Sequence, residues 1–283
     1  MSDWVRIHAP AAHAVPLVFD SPHSGTTYPD DFDHCVPRAV ARQAEDTYVE
    51  ELYAAAPSLG AVLVEALFPR AYVDPNRQLC DIDTELLADE WPGPIAPTRK
   101  TQQRIGLVWR VARGGVPMYS RKLAAAEVAQ RIATCYQPYH AAVASAVDAA
   151  HGRFGAVWHV NCHSMPAIGD VNADDAGRPR ADFVVGDRDG STCEADFTAF
   201  VAEHLRSRRY KVAVNDPYKG VELVRKFGRP AEGRHSLQIE INRRLYMNEE
   251  TLEKHAGFIS LKSEVTLLCK VLAGYVSARI GRR

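Results

Sequence analysis

Four polar side chains stand where an otherwise apolar pattern has no use for them. His23 follows the apolar run Val15 to Asp20, Asp46 lies in the stretch Arg38 to Ala56, His163 follows the run Gly155 to Asn161, and Glu240 sits on the polar side of the alternating segment Ser236 to Asn242. Two neutral imidazoles and one carboxylate are a catalytic zinc set that keeps a position for water, whose pKa falls toward ~7. A separate carboxylate must then take the proton from that water, and Glu240 has the right chemistry. The expectation is hydrolysis at one zinc ion held by His23, Asp46 and His163, although the same donors also suit iron, cobalt or manganese. Two alternatives stay open: Glu45 adjoins Asp46, and His159 shares a strand face with His163.

Hydrolysis of an anionic substrate also needs cations to hold it and to steady the oxyanion. Asp74-Pro75-Asn76-Arg77 offers a fork, because Asn76 and Arg77 side by side on a loop can clasp one carboxylate. Arg70 is the second cation. His235, on the approach to Glu240, is either a substrate contact or a structural hydrogen-bonder.

Elements of the right kind surround these residues. Val15 to Asp20, Ala61 to Ala66, Ala71 to Val73 and Gly155 to Asn161 read as short buried strands. Asp182 to Val185, Lys211 to Val214 and Ser236 to Asn242 read as further strands, the last with a period of two. Arg38 to Ala56, Tyr119 to Ala150, Thr192 to Arg208 and Asn248 to Arg279 carry helical patterns, with a bend expected near Pro138 and with Arg282 and Arg283 closing the chain. The order predicts an α/β fold, a mixed β-sheet with helices on both faces, as one catalytic domain over 1–283. The proline-rich stretch from Asp89 predicts a loop or lid over 89–118. Ligands in such folds bind beyond the carboxyl ends of the strands.

Composition narrows the partners. A formal charge of -1 gives no global field to gather a polyanion, so nucleic acid is not expected. No apolar stretch is long enough to span a bilayer and no basic, then apolar, leader opens the sequence, so a cytoplasmic protein with no membrane partner is expected. Six scattered cysteines without a Cys-x-x-Cys pair predict reduced thiols, with Cys162 buried on the opposite face of its strand from His163.

Taken in order, Ser21-Pro22-His23-Ser24-Gly25, Pro69 to Arg77, Asn161-Cys162-His163-Ser164 and Leu237 to Arg243 resemble the N-formylglutamate amidohydrolase family. Support comes from Asn215-Asp216-Pro217-Tyr218-Lys219-Gly220 and Leu245-Tyr246-Met247. The resemblance implies a phosphorylase/hydrolase-like fold related to the zinc carboxypeptidases. It implies zinc ligands His23, Asp46 and His163, Glu240 as the base, Asn76 and Arg77 on the substrate α-carboxylate, and Arg70 at the oxyanion or the substrate side chain; Tyr218 is placed with the substrate contacts. The implied substrate is a small anionic N-acylamino acid, foremost N-formyl-L-glutamate. A zinc peptidase or cell-wall amidase on a larger substrate, and a binding protein that has lost its chemistry, are the competing expectations.

Overall fold

The computed structural model describes residues 3–170, 173 and 175–280. Arg282 and Arg283 lie outside the described residues. Among the described residues, seven strands form one sheet in the order β1-β3-β2-β4-β7-β5-β6: β1 (Val5–His8), β2 (Leu17–Ser21), β3 (Val62–Ala66), β4 (Val157–Met165), β5 (Phe183–Gly186), β6 (Val212–Val214) and β7 (Arg234–Asn242). β2 pairs in parallel with β4, β4 with β7 and β5 with β6, whereas β5 runs antiparallel to β7. The sheet is therefore mixed, as the order of elements predicted.

The chain divides into two compact units. The unit comprising 7–21, 48–64 and 143–283 contains β2, β4, β5, β6 and β7. Its helices include α1 (Val49–Leu52), α2 (Ala195–Ser207), α3 (Glu222–Phe227) and α4 (Gly257–Ile280), and residues 143–154 of the helix Gln137–Phe154 also belong to it. On α4, Phe258, Leu261, Val265, Leu268, Leu272 and Val276 recur at helical spacing and join Phe19, Val160, Cys162, Leu237, Ile239 and Ile241 in one buried cluster. Cys162 thus takes the apolar place expected of it. Across the sheet, Phe227 of α3 meets the His159 ring edge-on, so helices cover both faces.

That second face is polar. Strand alternation brings His159, Asn161 and His163 of β4 to one side, and Ser236, Gln238 and Glu240 of β7 lie beside them in register. Asp20 of β2 is registered with Asn161. All seven side chains are buried, and each must find hydrogen-bond partners within the protein.

The other unit comprises 1–6, 22–47 and 65–142. Its packing centres on Arg131, whose guanidinium lies 4.2 Å from the Tyr72 ring centroid and donates to the Tyr72 carbonyl and the Tyr119 hydroxyl at 3.1 and 2.7 Å. The aromatic face and the two acceptors offset part of the cost of burying the cation, whose Nη2 is buried without a hydrogen-bond partner.

Several local expectations change. The stretch Arg38 to Ala56 is not one helix: Glu45 is extended, Tyr48 has φ 70°, and the Asp46 N–H donates to the His23 carbonyl at 3.0 Å. Asp46 lies in this break. Ala71 to Val73 forms no strand, and the Asp74 N–H after it donates to the Leu107 carbonyl at 2.7 Å. β4 does not stop before His163 but runs through it to Met165. α4 begins at Gly257, not at Asn248, because the Asn248 side chain accepts the N–H groups of Glu250 and Thr251 in a local turn. Near Pro138, where a bend was expected, the helix passes through a π-helical turn over Ile132–Tyr136 and continues as Gln137–Phe154. Within 89–118 the chain is largely irregular, with a short helical turn Arg99–Gln102 capped by Thr98, whose N–H and hydroxyl donate to Asp81 at 2.7 and 2.9 Å. No helix of the described residues is long and apolar enough to cross a membrane.

Candidate metal centre

The turn after β2 carries His23. Its ring lies 2.7 Å through Nε2 from Asp74 Oδ1, and 3.3 Å through Nδ1 from Asp46 Oδ2. Both ring nitrogens thus face carboxylate oxygens, the nearer at Nε2; a proton on Nε2 directs the Nδ1 lone pair to the side of Asp46, where a metal would be held. Gly25 lets this turn pass close to its neighbour, since a Cβ there would run into the Phe68 carbonyl and the Leu67 peptide. Gly25→Ala is therefore expected to lower stability by about 1–3 kcal/mol, read as a reduced urea midpoint. A midpoint equal to wild type would mean that the turn has room to yield.

Asp74 is the centre of this half of the site. Its carboxylate accepts Arg70 Nη2 at 2.9 Å, Arg70 Nε at 3.2 Å and the Asn76 N–H at 2.9 Å, besides facing His23. Burial alone would raise its pKa, but Arg70, His23 and Arg77 together hold it well below the ordinary aspartate range. Arg70 also reaches Asp46 Oδ1 at 3.4 Å and lies 5.1 Å from the Trp109 ring centroid. Arg77 donates to the Asn76 carbonyl at 3.2 Å, is 3.9 Å from Asp74, and has a buried Nε with no protein partner. The loop is held from behind, where Tyr136 donates to the Arg77 carbonyl and His140 to the Pro75 carbonyl, each at 2.8 Å.

On the sheet, the His163 Nε2 lies 2.7 Å from Asn161 Oδ1, and Gln238 donates to Glu240 Oε1 at 2.7 Å. His163 and Glu240 are register partners near the carboxyl ends of parallel strands. Among the described residues, one group of ligand-type side chains gathers as a metal would require. His23, Asp46 and His163, all buried, each offer one donor atom, and these atoms lie within 4.8 Å of one another. Two imidazoles and a carboxylate at this separation form a donor set able to bind a divalent metal.

The alternatives separate on geometry. Glu45 is turned to Tyr28 and Arg42, accepting from them at 2.8 and 3.0 Å, and its burial raises its pKa. His159 is engaged through both ring nitrogens, with Ser236 Oγ at 2.8 Å and Asp20 Oδ1 at 2.9 Å. Neither is in the gathered group. His235 points to the other face of β7 from Glu240, stacks on Trp158 at 5.1 Å and accepts the Glu194 N–H at 3.2 Å. That is its structural alternative.

Tyr218 lies under Arg180, 5.0 Å from ring centroid to guanidinium carbon, and its phenol is pushed up by burial and then by the charge of Glu240. Arg180, gripped by Asp175 at 2.7 and 2.9 Å, was not singled out in the sequence. Nor were Asp20, Asn161, Gln238 or the contact of Asp74 with His23. The period-two alternation did signal that Asn161 shares the face of His163 and Gln238 that of Glu240; nothing local signalled Arg180.

The model of the N-formylglutamate amidohydrolase family matches residues 15–247. The chain belongs to that family. It is an enzyme family, and the four motifs that carried the resemblance all fall within the matched residues. The N-formylglutamate deformylase of Pseudomonas aeruginosa is 28% identical over 244 residues, covering 83% of this chain and 84% of the relative. The corresponding Pseudomonas putida protein is 27% identical over 247 residues, 83% of each chain. A crystal structure of N-formylglutamate amidohydrolase from Ralstonia eutropha JMP134 superposes with a TM-score of 0.92 at 49% identity, over 97% of this chain and 99% of that one. An Agrobacterium tumefaciens gene product shares the fold, with a TM-score of 0.67 at 19% identity over 99% of this chain and 96% of that one.

Proposed function

We propose that this protein hydrolyses the amide of an N-acylated acidic amino acid, foremost N-formyl-L-glutamate to formate and L-glutamate, as a metal-dependent amidohydrolase using one zinc ion. The observation that carries the reading is the buried His23, Asp46 and His163 group, with donor atoms within 4.8 Å, in a chain of the N-formylglutamate amidohydrolase family. These three residues would hold the metal. When bound, a divalent metal in such a set acidifies water and polarises the carbonyl under attack.

The protein's own groups do the rest. Glu240, its carboxylate oriented by Gln238 Nε2 at 2.7 Å, takes the proton from the attacking water and delivers it to the departing nitrogen. Asn76 and Arg77 receive the substrate α-carboxylate. A buried Arg77 Nε without a protein partner costs free energy until a ligand accepts from it. Arg70, its guanidinium oriented by Asp74, lies near the developing oxyanion or the substrate side chain. Tyr218 and Arg180 lie on the Glu240 side, where their polar groups line the approach. The 89–118 segment acts as the lid that excludes a larger substrate.

The test is metal content measured on the purified protein beside an activity screen over N-formyl, N-acetyl and N-succinyl amino acids. Stoichiometric zinc with a preference for N-formyl-L-glutamate supports the reading, whereas activity confined to peptides or muropeptides supports the peptidase alternative. Arg77→Lys is expected to raise KM about tenfold to a hundredfold with a smaller change in kcat, since a point charge cannot reproduce the fork. An unchanged KM would take Arg77 out of substrate binding.

A further inference from the structure

Behind His163 a chain of buried side chains runs across three strands. Asp20 Oδ1 accepts Asn161 Nδ2 at 2.8 Å and His159 Nε2 at 2.9 Å; Asn161 Oδ1 faces His163 Nε2 at 2.7 Å, and His159 Nδ1 faces Ser236 Oγ at 2.8 Å. Asp20, His159, Asn161 and Ser236 are all fully buried, and His163 nearly so. An amide beside a buried carboxylate has one favourable orientation, with NH2 toward the carboxylate and C=O away. That carbonyl can only accept, so the ring proton of a neutral His163 sits on Nε2 and its lone pair on Nδ1.

We propose that Asp20 is a positioning residue for the metal site: its charge sets the amide of Asn161, which in turn fixes the tautomer of His163 that leaves Nδ1 to bind the metal. His159 completes the chain on the same carboxylate oxygen, and Ser236 engages the other nitrogen of the His159 ring. The proposal rests on the metal-dependent reading for its consequence, although the tautomer itself can be observed without metal. It also explains why His159 occupies the same face as His163 without joining the gathered group: its ring holds Asp20 in place, and its two nitrogens are already engaged.

The experiment pairs nitrogen NMR of the histidine rings in metal-free protein with zinc affinity measured by chelator competition. In the wild type, His163 is expected as the Nε2–H tautomer; an Nδ1–H tautomer overturns the proposal without any variant. Asp20→Asn removes the charge that orients Asn161 and is expected to weaken zinc about 10–100-fold and to mix the His163 tautomers. The double variant D20N/N161D moves the single carboxylate one step along the chain. Because His159 and Asn161 meet the same atom of Asp20, the amide nitrogen at position 20 then donates both to the carboxylate at position 161 and to His159 Nε2. The His159 proton moves to Nδ1 and is donated to Ser236 Oγ, and the carboxylate at position 161 accepts from His163. This double variant is expected to recover most of the zinc affinity and the Nε2–H tautomer.

Zinc affinity unchanged in folded Asp20→Asn overturns the proposal, as does a loss that the double variant leaves in place while its thermal melt matches wild type. If wild type and His163→Ala bind zinc equally, the metal-dependent reading fails instead, and the tautomer result still decides the chain from Asp20 to His163.

Discussion

Glu240→Gln is expected to keep the metal and lower kcat by about 10²–10⁴-fold, the usual contribution of a positioned general base. The substitution is isosteric, and the new amide oxygen still accepts from Gln238, which now lies 2.7 Å from Glu240 Oε1. Packing in β7 is therefore preserved, and only the ability to take a proton disappears. The decisive pair of measurements is metal content and kcat on the same preparation. Full activity in a metal-replete variant would remove Glu240 from the base role and shift attention to another carboxylate of the site.

Asp74→Asn carries the largest expected effect on stability. Asp74 is fully buried and serves His23, Arg70 and the Asn76 N–H at once. Removing its charge leaves Arg70 beside Arg77 with the longer contact to Asp46 at 3.4 Å, and the amide presents a donor to one of the donor groups that the carboxylate served. Losing one partner of a buried pair costs about 3–5 kcal/mol, and the lower end applies because the Arg70 side chain keeps 14% exposure. Urea unfolding at neutral pH reads the loss directly; a change under about 1 kcal/mol, no more than an exposed pair contributes, would mean that the cluster adapts without the carboxylate. The pH dependence follows from the lowered pKa. A carboxyl held below its unfolded value contributes fully above that value and loses the contribution as pH falls through the folded one. The gap between wild type and Asp74→Asn is thus widest near neutrality and closes in acid.

The cluster also bears on how His23 and His163 are matched. Each ring meets an acceptor at Nε2, Asp74 in one case and Asn161 in the other. Both arrangements direct Nδ1 away from that acceptor, and a metal bound there would have its ligands oriented by a second layer of hydrogen bonds. The two supports differ in chemistry. A carboxylate raises the basicity of its imidazole directly, whereas the amide passes on orientation from the charge of Asp20.

The sequence by itself determined the kinds of donor and much of their facing. In β4 and β7 the alternation is local, so His159, Asn161 and His163 had to share one side, as did Ser236, Gln238 and Glu240. The motifs around His23, Asp74, His163 and Glu240 were enough to place the chain in its family. Tertiary structure decided which residues met. Asp46 and Glu45 are neighbours of similar chemistry, and only the break at Tyr48 together with the Asp46 N–H bond to His23 turns one toward the ring and the other toward Tyr28 and Arg42. His159 and His163 stand on one face, and the lateral neighbours Asp20 and Ser236 engage the first. Periodicity along a chain says which way a side chain points; strand order and long-range packing say what lies there, and neither is encoded within a few residues of the side chain.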